Sequence, residues 1–147
     1  MMGLLSKAVK IAKENKLDDK YNFEVAGFFA YQNDARALYE LNPQYTKPTN
    51  KDKKYYKYKY FEEPCELIPE PNNEHDKNAV AVYCKGIKVG HIPAIHCDTA
   101  KKCIKKNYQA TISIRPGIYR EYDPDIDEFV TYKKEAYAYV DLVKAPK

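Results

Sequence analysis

The side chains best suited to bind a ligand are concentrated in one polar loop between two more apolar stretches. The loop runs from Pro71 to Asn78, and its hydrogen-bonding residues are Asn72, Asn73, His75, Asp76 and Asn78. Amides, an imidazole and a carboxylate can together donate and accept hydrogen bonds to a polar ligand. The same residue types also bond their own backbone in turns, so a purely structural role of the loop is the alternative.

The adjacent pair His75 and Asp76 raises the question of acid–base catalysis or of a nuclease site. The chain has no serine in a nucleophile elbow, no glycine-rich phosphate loop and no paired carboxylates at two-metal spacing. A catalytic site needs several groups in defined roles, and the sequence offers too few. We therefore predict that the protein is not an enzyme.

Metal binding is disfavoured by spacing. The 3 histidines and 4 cysteines contain no CxxC pair and no structural-zinc spacing. Asp123, Asp125 and Asp127 resemble the start of a calcium loop. Its sixth and twelfth positions hold Glu128 and Lys134, where glycine and glutamate are needed. The sequence predicts no metal and no cofactor.

A second candidate segment combines positive charge with aromatic rings. From Lys47 to Lys59 there are six lysines and one acid, and Tyr56, Tyr58 and Tyr60 alternate with lysines. The alternation predicts a strand with rings on one side and charge on the other, as in single-stranded nucleic acid grooves. An edge strand protected from aggregation by lysine is the alternative. The candidate phosphate contacts are Lys53, Lys54, Lys57 and Lys59.

Hydrophobic periodicity predicts mostly short strands. The predicted strands are Tyr21–Tyr31 with a bend or a close backbone approach at Gly27, Ala79–Cys84, Ile87–Ile92, Tyr108–Arg115 and Phe129–Val143. The predicted helices are Leu4–Asn15, a short helix from an N-cap at Asn33 to Leu41, and Ala94–Lys106. A turn at Pro116–Gly117 and an acidic loop over Glu121–Glu128 complete the pattern. This order predicts a mainly β fold: a small, curved antiparallel sheet or barrel with helices packed against it.

Length and composition indicate one globular domain. The 147 residues are 44% hydrophobic and 31% charged, which is enough to bury a core. We predict an amphipathic helix and link over residues 1–20 and a domain over 21–147, with an insertion at about 32–63. The chain lacks a membrane-spanning run and a secretion signal, and its cysteines are expected to be reduced thiols. A cytoplasmic location with no membrane partner is expected.

The central third of the chain resembles the HIRAN domain, a module of eukaryotic DNA remodellers and of standalone bacterial and phage proteins. The matching residues are the run Glu70-Pro71-Asn72-Asn73, then Asp76, the strand entry Asn78-Ala79-Val80-Ala81-Val82, and Val89-Gly90-His91-Ile92-Pro93. The resemblance covers roughly residues 23–143 and implies a small OB-like or SH3-like β-barrel.

In DNA-binding members this domain captures the 3′ end of single-stranded DNA. The resemblance implies that Asp76 accepts a hydrogen bond from the terminal 3′-hydroxyl, with Asn73 and His75 lining the pocket. His91 would contact phosphate or sugar. This chain departs from the family pattern in three places. A basic residue and paired tyrosines are usual where it has Phe28, Phe29, Ala30 and Tyr31, and a cation is expected where it has Ala94. His75 stands where an aromatic residue is usual. Tyr31 and Phe29 are the candidate stacking residues.

The sequence thus predicts a non-catalytic module that binds single-stranded DNA at its 3′ end, in DNA repair, replication or phage–host DNA metabolism. A helicase, a nuclease or another protein is the expected partner. The alternative is a protein-interaction adaptor that uses the N-terminal helix and the Tyr/Lys-rich insertion.

Overall fold

A computed structural model describes residues 16–115 and 117–146. The predicted helix over residues 4–15 and the proline of the predicted Pro116–Gly117 turn lie outside the described residues. Within the described ranges, no helix is both long enough and apolar enough to cross a membrane.

The described residues form ten strands and two short α-helices. The strands are β1 Lys20–Glu24, β2 Tyr55–Tyr56, β3 Phe61–Pro64, β4 Glu66–Pro69, β5 Val80–Cys84, β6 Ile87–His91, β7 Gln109–Arg115, β8 Ile118–Asp123, β9 Glu128–Lys133 and β10 Tyr137–Val143. The helices are α1 Gln32–Ala35 and α2 Cys97–Lys105. Short 3₁₀ helices cover Phe28–Tyr31, Arg36–Leu38, Pro43–Tyr45 and Ala94–His96. The predicted mainly β, antiparallel class is confirmed.

The strands pair into three antiparallel sheets, in the orders β1-β10-β7-β3, β2-β8-β9 and β4-β5-β6. The first and third sheets share one core, in which Val80, Val82, Ile112, Val140 and Leu142 are almost fully buried. Because these residues alternate along their strands, each strand offers one apolar face to the core. Helix α2 closes this core with Ala100 and Cys103.

The β-barrel that the resemblance implies is not closed in the part of the chain that the structure describes. The chain passes from the first sheet to the third at Pro64 and Cys65, between β3 and β4. On the other side an isolated bridge between Ala26 and His91 joins the two sheets. One bridge is not a ladder, so the hydrogen-bonded surface is interrupted there.

The predicted strand Tyr21–Tyr31 is wrong in its second half. Strand β1 ends at Glu24, and Gly27 takes a left-handed conformation with φ 71° before the 3₁₀ helix Phe28–Tyr31. The bend predicted at Gly27 is therefore confirmed, and it turns the chain so that Phe28 enters the core. The following helix is also shorter than predicted, and its N-cap is Tyr31 rather than Asn33.

The run YYKYKYF does not form one strand. Its backbone bonds switch partners: Lys57 N–H donates to Ile118 O at 2.9 Å, and Lys59 N–H donates to Glu40 O at 2.8 Å. Two different neighbours cannot continue one ladder, so the run divides into β2 and β3 with a bridge between Leu41 and Tyr58.

The C-terminal region differs from expectation in two places. The residues predicted as an acidic loop, Glu121–Glu128, begin in β8 and end in β9, which together form a hairpin. The predicted closing strand Phe129–Val143 is divided into β9 and β10. The backbone of Lys134 to Ala136 passes so close to Gly117 that a Cβ there would lie 2.2 Å from the carbonyl oxygen of Lys134. The central hairpin, helix α2 and strand β7 lie close to their predicted bounds.

Candidate nucleic-acid interface

The polar loop before β5 is held by its own asparagine and aspartate. Oδ1 of Asn73 accepts hydrogen bonds from the backbone N–H of His75 at 2.9 Å and of Asp76 at 3.0 Å. Oδ1 of Asp76 accepts from the backbone N–H of Asn78 at 2.8 Å. Oδ1 of Asn73 and Oδ1 of Asp76 therefore hold the backbone of the loop, which is the structural role that the sequence offered as the alternative.

The loop bonds leave the second oxygen of Asp76 available. Within the described part of the chain, no hydrogen bond to Oδ2 of this half-buried carboxylate is found. Asn78 is anchored from the other side, because its Nδ2 donates to Asp98 at 2.9 Å and its Oδ1 accepts from Lys101. Asp76 is thus fixed by one oxygen and can accept a ligand donor with the other.

Glu70 connects the loop to strand β6. Its carboxylate accepts from Nδ2 of Asn73 at 3.1 Å and from Nζ of Lys88 at 2.8 Å. Nε2 of His91 lies 2.7 Å from the same carboxylate, so this nitrogen carries a proton and donates. The hydrogen bond from Lys88, aided by those from His91 and Asn73, lowers the pKa of Glu70 to about 2. The carboxylate of Glu70 is therefore negatively charged at neutral pH, where it faces the side chains of Lys88 and His91.

A β-bulge in β6 places Lys88 and His91 on one side of the strand. Val82 pairs with Gly90 and Tyr83 with Lys88, which leaves Val89 without an opposite residue. In a regular strand, two residues three positions apart face opposite sides of the sheet. Because the bulge inserts one extra residue between them, Lys88 and His91 face the same side. A period of two assigns Lys88 to the face opposite His91, so sequence reasoning missed Lys88. Glu70 was matched only as part of the family motif and was not predicted as a site residue.

Tyr31 completes this cluster. Nζ of Lys88 lies 5.6 Å from the centre of its ring, and the ring of His91 lies 6.1 Å away, edge to face. Lys88 thus places one cation in this cluster, whereas Ala94 follows Pro93. We call Tyr31, Glu70, Asn73, Lys88 and His91, together with Asp76, the loop cluster.

Two of the predicted site residues lie at the edge of this arrangement. His75 is exposed and is joined to the loop cluster through its backbone bond to Asn73. Phe29 is 72% exposed, and the ring contacts found among the described residues do not include it.

The four predicted lysines lie on a different surface. Lys53 and Lys54 are exposed, and Nζ of Lys54 lies 5.0 Å from the ring centre of Tyr119. Nζ of Lys57 lies 5.5 Å from the ring of Tyr58, and Lys59 pairs with Glu40 at 3.2 Å. No hydrogen bond or ion pair found in the described ranges joins these lysines to the loop cluster.

A β-rich scaffold that presents a capped polar loop beside a lysine, a histidine and an aromatic ring defines a binding module. The HIRAN domain family model matches residues 39–125, which is more than half of the chain and includes all of the loop and strand β6. The chain therefore belongs to the HIRAN domain family, whose members are generally DNA-binding modules. Comparisons with curated proteins and with solved structures gave no match.

Proposed function

We propose that this HIRAN domain binds single-stranded DNA and recognises its 3′ end without catalysing a reaction. The observation that carries the proposal is the fixed position of Asp76, whose Oδ1 caps the loop while Oδ2 remains an available acceptor. A carboxylate in that state favours a hydroxyl donor and repels a phosphate. It would therefore distinguish a 3′-hydroxyl from a 3′-phosphate without reading a base.

The rest of the loop cluster supplies what a terminal nucleotide requires. Lys88 and His91 are positioned to attract the last phosphate, and the face of Tyr31 is suited to stack on a base. Glu70 holds both cation-forming side chains in place before the ligand arrives. Because no catalytic step is proposed, a helicase or nuclease partner would perform any chemistry on the bound strand, in repair, replication or phage–host DNA metabolism.

Fluorescence anisotropy with three oligodeoxynucleotides of equal length tests the proposal: one with a 3′-hydroxyl, one with a 3′-phosphate and one circular. We expect the tightest binding to the 3′-hydroxyl strand. Equal affinity for all three, or no binding to any, would show that the end is not recognised.

The substitution Asp76→Asn isolates the role of the charge. An asparagine keeps an oxygen for the Asn78 N–H and so preserves the loop, which Asp76→Ala would not. We expect the preference for the 3′-hydroxyl over the 3′-phosphate to fall by roughly tenfold, since a hydrogen bond to a charged acceptor is lost. An unchanged preference in a variant with the wild-type thermal midpoint would contradict the assignment of Asp76.

A further inference from the structure

A groove lined by tyrosines and cations includes none of the residues of the loop cluster, and its walls come from the segment around β2 and from the adjoining ends of β7 and β10. It consists of two adjoining clefts of about 180 and 510 Å³, which share Tyr58 and Lys59 in their walls. Arg36 and Lys57 line the smaller cleft, and Arg115 lines the larger. We call this surface the tyrosine groove.

The aromatic walls of the groove come from separate parts of the chain. The larger cleft is lined by Tyr56, Tyr58, Tyr60 and Tyr137. Tyr60 is 56% exposed and Tyr137 is 44% exposed, so much of each ring is open to solvent. The sequence predicted that Tyr56, Tyr58 and Tyr60 lie on one side of a strand. Tyr137 lies beside them because β10 pairs with β7 in the first sheet.

Two of these rings pack against a neighbouring ring. Tyr56 packs on Tyr119 at 5.5 Å, and Tyr137 packs on Tyr139 at 5.7 Å between ring centres. The guanidinium of Arg115 also lies 5.9 Å from the ring of Tyr139. Support of this kind fixes the rings before a ligand binds and so reduces the entropy that binding would cost.

The charge of the groove is one-sided. The walls of the two clefts contain five cationic side chains and, in the described part of the chain, no carboxylate; these cations are Arg36, Lys57, Lys59, Arg115 and Lys134. The acids at the margin are engaged: Glu40 pairs with Lys59 at 3.2 Å, and Glu62 accepts from the hydroxyl of Tyr60 at 3.1 Å. Asp141, which lines a neighbouring cleft with Tyr60 and Arg115, accepts from Nδ2 of Asn22 at 2.7 Å. A polyanion with flat, unpaired rings complements such a surface.

We infer that the tyrosine groove binds a stretch of single-stranded nucleic acid by base stacking and phosphate contacts, whether or not the strand has a free end. Exposed tyrosine faces accept any base, and cations beside them neutralise the backbone. A duplex keeps its bases stacked on one another and cannot use the rings. The inference is independent of the 3′-end proposal, because it involves none of the residues of the loop cluster.

A circular single-stranded oligodeoxynucleotide is the decisive probe, since it offers no end. We expect salt-dependent binding by the full chain and weaker binding to a duplex of the same length. Tyr60→Ala should weaken binding to the circle at least about fivefold, because one base–ring stack is lost. Tyr60→Phe removes only the bond to Glu62 and should retain the affinity.

Arg115→Gln should weaken binding and flatten the plot of log affinity against log salt by about 0.7, the value for one phosphate contact on a single strand. Lys105→Gln, the same change of charge on an exposed face of α2, is the matched control and should change neither quantity more than slightly. Thermal unfolding of each variant verifies that the fold is retained.

The inference is wrong if the wild type does not bind the circle, if it binds the duplex equally well, or if Tyr60→Ala and Arg115→Gln both bind the circle as the wild type does. None of these outcomes decides the 3′-end proposal, which is tested by the preference for a 3′-hydroxyl and by its loss in Asp76→Asn. Conversely, loss of end preference with normal binding to the circle would overturn the 3′-end proposal alone.

Discussion

Three hydrogen-bond donors stabilise the charged form of Glu70. Its side chain is 22% exposed, yet it accepts from Lys88, His91 and Asn73 at once. Isolated surface ion pairs contribute little, whereas a carboxylate held by several donors prefers its charged form strongly. The pKa of about 2 expresses that preference.

The same network predicts sensitivity to acid. A carboxyl whose folded pKa is lowered stabilises the fold above its ordinary pKa near 4.5 and loses that contribution as the pH falls towards about 2. Glu70→Gln removes the titration, so we expect the variant to be less stable at pH 7 but to lose less stability between pH 5 and pH 2.5. Urea midpoints measured across this range test the slope. Glu74→Gln, the same change at an exposed loop position, should follow the wild-type curve, and a Glu70→Gln curve parallel to the wild type would contradict the prediction.

At the level of secondary structure, the junction of the first and third sheets depends on a close backbone approach at Gly90. Gly90 has φ 149°, and a Cβ there would lie 2.5 Å from Cγ1 of Val25 and 2.7 Å from the carbonyl oxygen of Ala26. The oxygen belongs to the bridge that joins the first and third sheets at His91. A side chain at this position would force the two sheets apart where the loop cluster is formed.

We therefore expect Gly90→Ala to destabilise the protein by roughly 1–3 kcal/mol and to weaken single-strand binding with it. Gly86→Ala is the matched control, because Gly86 also has a positive φ of 79° but no atom within 4 Å of the point where a Cβ would lie. Gly86→Ala therefore has the backbone strain of a positive φ but no steric clash, and its thermal midpoint should fall less than that of Gly90→Ala. Equal midpoints for the two variants would show that the close approach is not what the glycine provides.

These elements also show how far the sequence predicts the structure. The hairpin, α2 and β7 were predictable because their periodicity and turns are local signals: Lys85 and Gly86 both adopt positive φ in a two-residue turn. The division of YYKYKYF and the β6 bulge were not, because they depend on which distant backbone, Glu40 or Ile118, supplies each partner. Asn73, Asp76, Tyr31 and His91 were found through residue type and family pattern, whereas Lys88 was hidden by the bulge.

At the scale of the whole molecule, one shared core supports the two proposed binding surfaces. Cys84, Cys97 and Cys103 are almost fully buried in that core, between the sheets and α2, and Cys65 lies where the chain passes from β3 to β4. The loop cluster lies at the bridge between the sheets, and the tyrosine groove is lined by the segment around β2 and by the adjoining ends of β7 and β10. Both surfaces therefore depend on the packing around the same thiols.

The buried thiols predict how the core responds to alkali. Burial raises the pKa of Cys65 to about 12 and also raises the pKa of Cys84, Cys97 and Cys103. A group whose folded pKa is raised contributes stability that is complete below its ordinary pKa near 9 and is lost as the pH rises through the folded value. The urea midpoint should accordingly decline as the pH is raised above about 9.

Cys65→Ala removes the thiol whose pKa is raised to about 12, so its midpoint should decline less steeply than that of the wild type even if it starts lower. Parallel curves for the two proteins would mean that Cys65 does not retain its proton in the folded state.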